Sequence, residues 1–156
     1  LNHNNINLIS IAQGQKNQGA NKFITWARNK TKTKIIYKGS SIRDMIRALG
    51  HSYLGLASDQ YAGNSGVQIT FFNKNTFTPK GAAIFHLKTG LPILIGFCKL
   101  LPDFTYSINF TELKLTDLSK DIETASIYIN KLYHDMLENI IKENPEQYFW
   151  FHRKWR

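Results

Sequence analysis

Two short stretches have residue types and spacing that could do chemistry. Asp59-Gln60 stands where an apolar run ends and a loop bearing Gly63 and Gly66 begins. In open α/β sheets, ligands bind outside the carboxyl ends of the strands. A carboxylate there can accept hydrogen bonds from substrate hydroxyls or orient a basic side chain. It can equally hold its own loop through backbone N–H groups, and spacing alone does not separate these readings. Thr78-Pro79-Lys80-Gly81 reads as a helix start, with Pro at the first position, where its missing N–H costs nothing. The free N–H groups of a helix start attract anions, Lys80 adds charge, and Gly81 allows close approach of a backbone or ligand. Plain capping explains the same residues.

The five histidines give no metal or catalytic pattern. Five positions after His3, His51, His86 and His134 stand Leu8, Leu56, Leu91 and Asn139, none of them acidic, and His152 is too near the end. No paired His spacing joined to an acid suggests zinc. No nucleophile elbow, phosphate loop or dinucleotide fingerprint occurs. Structural roles are the expectation for all five. Cys98, the single cysteine, allows no internal disulfide and is expected in the core.

The C-terminus interleaves aromatics and bases from Tyr148 to Arg156. Such a segment suits a membrane interface, with rings at headgroup level and cations on phosphate. It also suits closure of the core after a long helix. Nucleic-acid stacking is the weakest of the three readings.

The elements that position these residues follow from periodicity. Ile6–Ala12 reads as a buried strand, Gln13–Asn21 as a loop, and Phe23 to Ala27 as a helix ending in Arg28, Lys30, Lys32 and Lys34. Ile35–Tyr37 is a short strand. Ser40-Ser41 can cap a helix whose Ile42, Met45, Ile46 and Leu49 share one face, and Gly50 stops it. Tyr53–Ser58 and Val67–Phe72 are strands, followed by a helix to Gly90 and strands at Leu91–Leu100 and Tyr106–Phe110. Asp121–Asn144 is the longest helix, with Ile122, Ala125, Ile129, Leu132, Tyr133, Met136, Leu137, Ile140 and Ile141 on one stripe. Strands alternating with helices indicate an α/β fold with a mostly parallel sheet flanked by helices. Leu91–Cys98, the longest apolar run, is expected to be an interior strand.

A chain of 156 residues, 42% hydrophobic, can bury the core of one domain. Its net charge of +9 favours acidic partners, whether nucleic acid, anionic lipid headgroups or a phosphorylated or acidic carrier, and charge alone does not choose among them. No run approaches the roughly 20 apolar residues of a membrane-spanning helix. The chain begins with Leu1 rather than Met, and the expectation is that it starts inside a gene product or follows a removed segment.

The order and spacing of several motifs resemble the bacterial lipid A biosynthesis acyltransferases of the lauroyl/myristoyl type, a branch of the lysophospholipid acyltransferase superfamily. These motifs are Asp59-Gln60-Tyr61-Ala62-Gly63, Phe71-Phe72, Thr78-Pro79 with Gly81, Thr89-Gly90 with Pro92, and Pro145-Glu146-Gln147-Tyr148 running to Trp150, His152 and Arg153. The resemblance implies a fold like that of the glycerolipid acyltransferases, of which residues 1–156 are the C-terminal two thirds. It implies transfer of a fatty acyl chain from acyl carrier protein to a hydroxyl of a lipid A precursor, without a cofactor or metal, at an anionic membrane surface on the cytoplasmic face of the bacterial inner membrane. Nucleic acid is not an implied partner.

The resemblance also implies a general base, the His of an H-x-x-x-x-D/E motif, upstream of the strand at Asn7–Ala12. That motif is absent from the sequence, so residues 1–156 by themselves are expected to be inactive. Substrate contacts are implied at Gln13, Asn17, Asp59, Gln60, Thr78 and Gly81. At one of them the chain departs from its relatives, which commonly carry Arg four residues before the Asn matched by Asn17; here Gln13 stands in its place, a neutral amide for a guanidinium. A non-catalytic lipid-binding or scaffolding paralogue is the alternative reading.

Overall fold

The computed structural model describes residues 6–31, 33–37, 39 and 41–155. His3, Lys32, Ser40 and Arg156 lie outside that set. The chain divides after Ala57 into two compact units, and each is taken by itself.

The first unit alternates strand and helix: β1 (Leu8–Ala12), α1 (Gln18–Lys30), β2 (Lys34–Tyr37), α2 (Ile42–Leu49) and β3 (Tyr53–Gly55). The strands pair in parallel in the order β2-β1-β3. Helical connections allow this, because a parallel return needs a long crossover. Asn17 caps α1 by accepting from the Ala20 amide, and Ser41 caps α2 by accepting from the Asp44 amide. Gly50 follows α2 at φ 46°, a left-handed value that suits glycine. Among the described residues, Ile9, Met45 and Leu49 are the buried apolar side chains of this unit.

The second unit is built differently. The hairpin β4 (Val67–Phe71) and β5 (Lys74–Thr78) is followed by α3 (Gly81–Thr89). A second hairpin, β6 (Leu94–Leu100) and β7 (Tyr106–Glu112), precedes α4 (Ile122–Glu143). Both hairpins are antiparallel. The expected mostly parallel sheet is therefore confined to β1–β3. The reason lies in the connections: Phe72-Asn73 and residues 101–105 are too short for a parallel crossover of a dozen or more residues.

β5 was not expected at all. Its hairpin turns on Phe72 and Asn73, at φ 48° and 57°. Two consecutive positive φ angles are the signature of a tight type I′ hairpin. Asn tolerates that region and Phe ordinarily does not. Here Phe72 is held in place: its amide donates to Glu138 Oε1 at 2.6 Å, and its ring contacts Phe71 and Trp150.

The placement of Leu91–Cys98 as an interior strand is also overturned. β6 pairs with β7 alone among the described strands. Ile93, Ile95 and Phe97 pack onto the core, while Leu94 and Cys98 on the other face are exposed. An unbroken apolar run thus became a one-sided strand, because among the described residues no second layer covers its opposite face.

Asp121 caps α4 by accepting from the Thr124 amide. The helix buries Ala125, Ile129, Tyr133, Leu137 and Ile141, as its stripe predicts, but also Ser126, Asn130 and His134. One apolar cluster joins Phe71, Tyr133, Leu137 and Ile141, with Phe72, Ile95, Phe97, Tyr148 and Trp155 against it. A second joins Ala83, Leu113 and Ile129.

Candidate functional site

Thr78 ends β5 rather than opening a helix. Pro79 therefore precedes the α3 N-cap, which is Lys80, and Gly81 is the first helical residue. Two constraints fix this start. Thr78 remains in the ladder opposite Val67. Its hydroxyl, fully buried, lies 3.1 Å from Ser58 O and 3.3 Å from Asn130 Oδ1, its single proton shared between the two acceptors. Lys80 Nζ is 2.6 Å from Glu123 Oε2, so its charge is paired rather than offered to a ligand.

Ser58 thereby brings Asp59 next to Thr78. Tyr133 of α4 donates its hydroxyl proton to the same Ser58 carbonyl. The next carbonyl, of Asp59, accepts from Lys154 Nζ. The Tyr61 amide donates to His152 Nε2 at 2.9 Å, and the Ala62 amide to Phe77 O at 3.0 Å. These hydrogen bonds tie the five-residue corner 58–62 through its backbone to β5, α4 and the C-terminal segment, and the Tyr61 ring packs edge-on against Phe77 of β5. Asp59 is half-buried and Gln60 exposed. No hydrogen bond to the Asp59 carboxylate occurs among the described residues, which leaves its oxygens available to a ligand.

Beneath the corner lies a buried polar row. Ser126, Asn130 and His134 stand one turn apart on α4, the i, i+4 spacing of a single helix face. Asn130 Nδ2 donates to Ser126 O, and His134 Nδ1 donates to Asn130 O. His134 Nε2 then accepts from Lys154 Nζ at 3.1 Å. Lys154 is 1% exposed, and its ammonium lies 5.2 Å from the centre of the Phe71 ring. A buried charge is costly unless hydrogen-bonded, and here a carbonyl, an imidazole and a ring face surround it.

The electrostatics follow from this burial. Burial first, and then the Lys154 charge, push His134 down to about 3. Burial lowers Lys154 to about 8 against the opposing pull of Asp59. Burial raises Tyr133 far above the ordinary phenol value, and raises Tyr148 to about 12, with Asp59 adding to both. Tyr133 and Tyr148 are therefore neutral phenols at physiological pH, and His134 is a neutral imidazole.

In the first unit, Asn17 is engaged as the α1 cap, and Gln13 is exposed just after β1. Other residues singled out by sequence prove to be joints. Gly90, at φ 68°, closes α3, with Thr89 donating to Phe85 O. Gln147 makes both side-chain hydrogen bonds to the backbone of Leu100. The C-terminal aromatics divide: Tyr148 and Trp155 pack on Phe71, whereas Phe149 and Phe151 are exposed. Core closure thus accounts for one set and leaves the other facing outward. Among the described residues, no helix is long and apolar enough to cross a membrane. The open groove lined by Gln68, Thr70, Asn75, Ile127 and Lys131 contains none of the residues nominated from sequence.

Sequence reasoning missed Tyr133, Asn130 and Lys154 as parts of this network, and read His152 and His134 only as structural. One signal was present: three polar residues at i, i+4 spacing interrupt an apolar helix face. A search of curated proteins found no match. The bacterial lipid A biosynthesis acyltransferase family matches residues 2–156, and with nearly its whole length inside that match, the chain belongs to this family.

Proposed function

We infer that the chain serves acyl transfer from acyl carrier protein to a hydroxyl of a lipid A precursor, and that the 58–62 corner supplies part of the acceptor site. Family membership over residues 2–156 carries this reading. The local geometry supports it: the half-buried Asp59 carboxylate has no hydrogen bond among the described residues, while its carbonyl is held by Lys154 and the preceding Ser58 carbonyl by Tyr133 and Thr78.

In the reaction, the acceptor hydroxyl oxygen attacks the thioester carbonyl, an ester C–O bond forms and the C–S bond breaks. The hydroxyl proton passes to a general base, and the departing thiolate takes up a proton. Asp59 and Gln60 would orient acceptor hydroxyls from the corner, over Thr78 and the α3 start at Gly81. Gln13 and Asn17 are proposed to contact an anionic group of the substrate. The base is assigned to no group of residues 1–156. The inner membrane's cytoplasmic face, with its anionic lipid, is the proposed place of action, in keeping with a net charge of +9.

Because the base is not among these residues, binding is the test. The protein is titrated with a lipid A precursor in detergent micelles, alongside Asp59→Asn. Removing one charge-assisted acceptor should weaken binding roughly tenfold, on the order of the strength of such bonds. Equal binding by both proteins overturns the role of Asp59. Failure of the unaltered protein to bind the precursor overturns the acceptor assignment.

A further inference from the structure

The Asp59–Tyr61 backbone is held from a distance of more than ninety residues along the chain. His152 accepts from the Tyr61 amide, and Lys154 donates to the Asp59 carbonyl. Arg153 between them is exposed, and the Lys154 amide donates to His152 O at 2.7 Å across it, a tight three-residue turn that leaves His152 half-buried and Lys154 buried. Neither uses its anchor by chance. Thr76 of β5 donates its hydroxyl proton to Lys154 O, and Trp155 donates its indole N–H to Phe71 O at 3.1 Å. The segment is thus pinned to the β4–β5 hairpin on one side and grips the corner with the other.

We propose that His152 and Lys154 form a positioning clamp that sets the Asp59-Gln60 corner for the acceptor, acting only through its backbone. This rests on the acceptor-site reading above. It gives the C-terminal His-x-Lys a task that the aromatic composition of the segment does not suggest. Neither residue needs to touch substrate, and Lys154 cannot, being buried. A backbone clamp leaves the Asp59 and Gln60 side chains free, so it can fix their direction without competing for their hydrogen bonds.

The test combines local amide exchange with binding of a lipid A precursor in micelles, on the full 156-residue chain. The variants are His152→Ala, His152→Gln, Lys154→Met and Asp59→Asn. His152→Ala and Lys154→Met should speed exchange of amides 59–62 roughly tenfold or more, the scale of one buried hydrogen bond, while α4 amides around Ile129–Leu137 keep their protection. Both should weaken precursor binding. His152→Gln, whose side-chain carbonyl can still accept from the Tyr61 amide, should restore most of each. His152 is only half-buried, so its variants keep the test open should Lys154→Met fail to fold.

Unchanged exchange at 59–62 in His152→Ala overturns the clamp. Loosening spread evenly through the second unit also overturns it, since that would mark a merely structural pin. Weakened binding in Asp59→Asn with normal binding in both clamp variants overturns the clamp alone. Normal binding in Asp59→Asn overturns the acceptor-site reading instead, whatever the exchange data show.

Discussion

Lys154 Nζ lies 3.1 Å from His134 Nε2, and neither side chain is more than 1% exposed. A lysine ammonium has only donors to offer, so the imidazole must accept. His134 Nδ1 is then the protonated nitrogen, which matches its bond to Asn130 O. A second proton on the ring would set two cations face to face without water. Burial and this neighbour together hold His134 down to about 3.

Acid sensitivity follows, and its sign is determined. Between the ordinary value of 6.5 and about 3, the unfolded chain binds a proton that the folded chain excludes. Stability therefore falls as pH drops through that window, with a ceiling of roughly 5 kcal/mol at 1.36 kcal/mol per pH unit. Urea unfolding at pH 7, 5.5 and 4.5 should show a steeper loss in the parent than in His134→Gln. Parallel slopes in the two proteins would mean that His134 is already charged in the fold.

Two glycines separate tight backbone from tight side chain. A Cβ at Gly66 would lie 2.5 Å from Thr78 O and 2.8 Å from Ala62 Cβ. Only backbone movement could relieve it, and that movement would disturb the turn beside the corner. Gly66→Ala should cost about 1–3 kcal/mol, the usual range for overpacking. The atoms nearest a Cβ at Gly96 belong to the Phe110 ring, the first at 2.7 Å, and that ring is half exposed and can swing away. Gly96→Ala should cost well under half as much in the same denaturant titration. Equal costs would show that the β6–β7 hairpin is less yielding than its exposure implies.

Cys98 gives a direct check on the hairpin. It is exposed on the outer face of β6, across from Ile108. An accessible thiol reacts without unfolding. The native protein should titrate one thiol per chain with a disulfide reagent, at nearly the rate seen in denaturant. Reaction only after denaturant is added would return Cys98 to an interior strand.

What was legible in the sequence had a local cause. Asp121 and the stripe of Ile129, Tyr133 and Leu137 announced α4 because capping and helical period act within a few residues. Parallel β1–β3 followed from helices between strands. The β4–β5 hairpin was hidden because Phe72-Asn73 lacks the usual Asn-Gly signal, and its geometry depends on Glu138 and Trp150, far along the chain. Leu91–Cys98 was misplaced because an apolar run reveals hydrophobicity but not how many layers cover it. For the candidate site, Asp59 and Thr78 were nominated from separate motifs, and the Ser58 carbonyl beside Asp59 lies 3.1 Å from the Thr78 hydroxyl. Their link through Ser58, Tyr133, His152 and Lys154 comes from tertiary contacts that no local pattern encodes.

The last prediction concerns Gln13, exposed just after β1. The resemblance implies an Arg at this position, and with it a clamp for an anionic group. Arg–phosphate pairs are bidentate, charge-assisted and roughly twice as strong as neutral hydrogen bonds. An amide can still donate one hydrogen bond, so the loss is expected to be partial. Lys16, exposed in the same loop, can supply the missing charge, though as a single point rather than a fork. Gln13→Arg should therefore tighten binding of a lipid A precursor in micelles about threefold to tenfold at low salt, with the gain shrinking as salt rises. Lys16→Ala should weaken binding in the parent and do so less once Arg is present. If Gln13→Arg has no effect but Lys16→Ala is damaging, the anion contact lies at Lys16 and not at Gln13. If neither substitution changes binding at any salt concentration, the loop takes no part in the acceptor site.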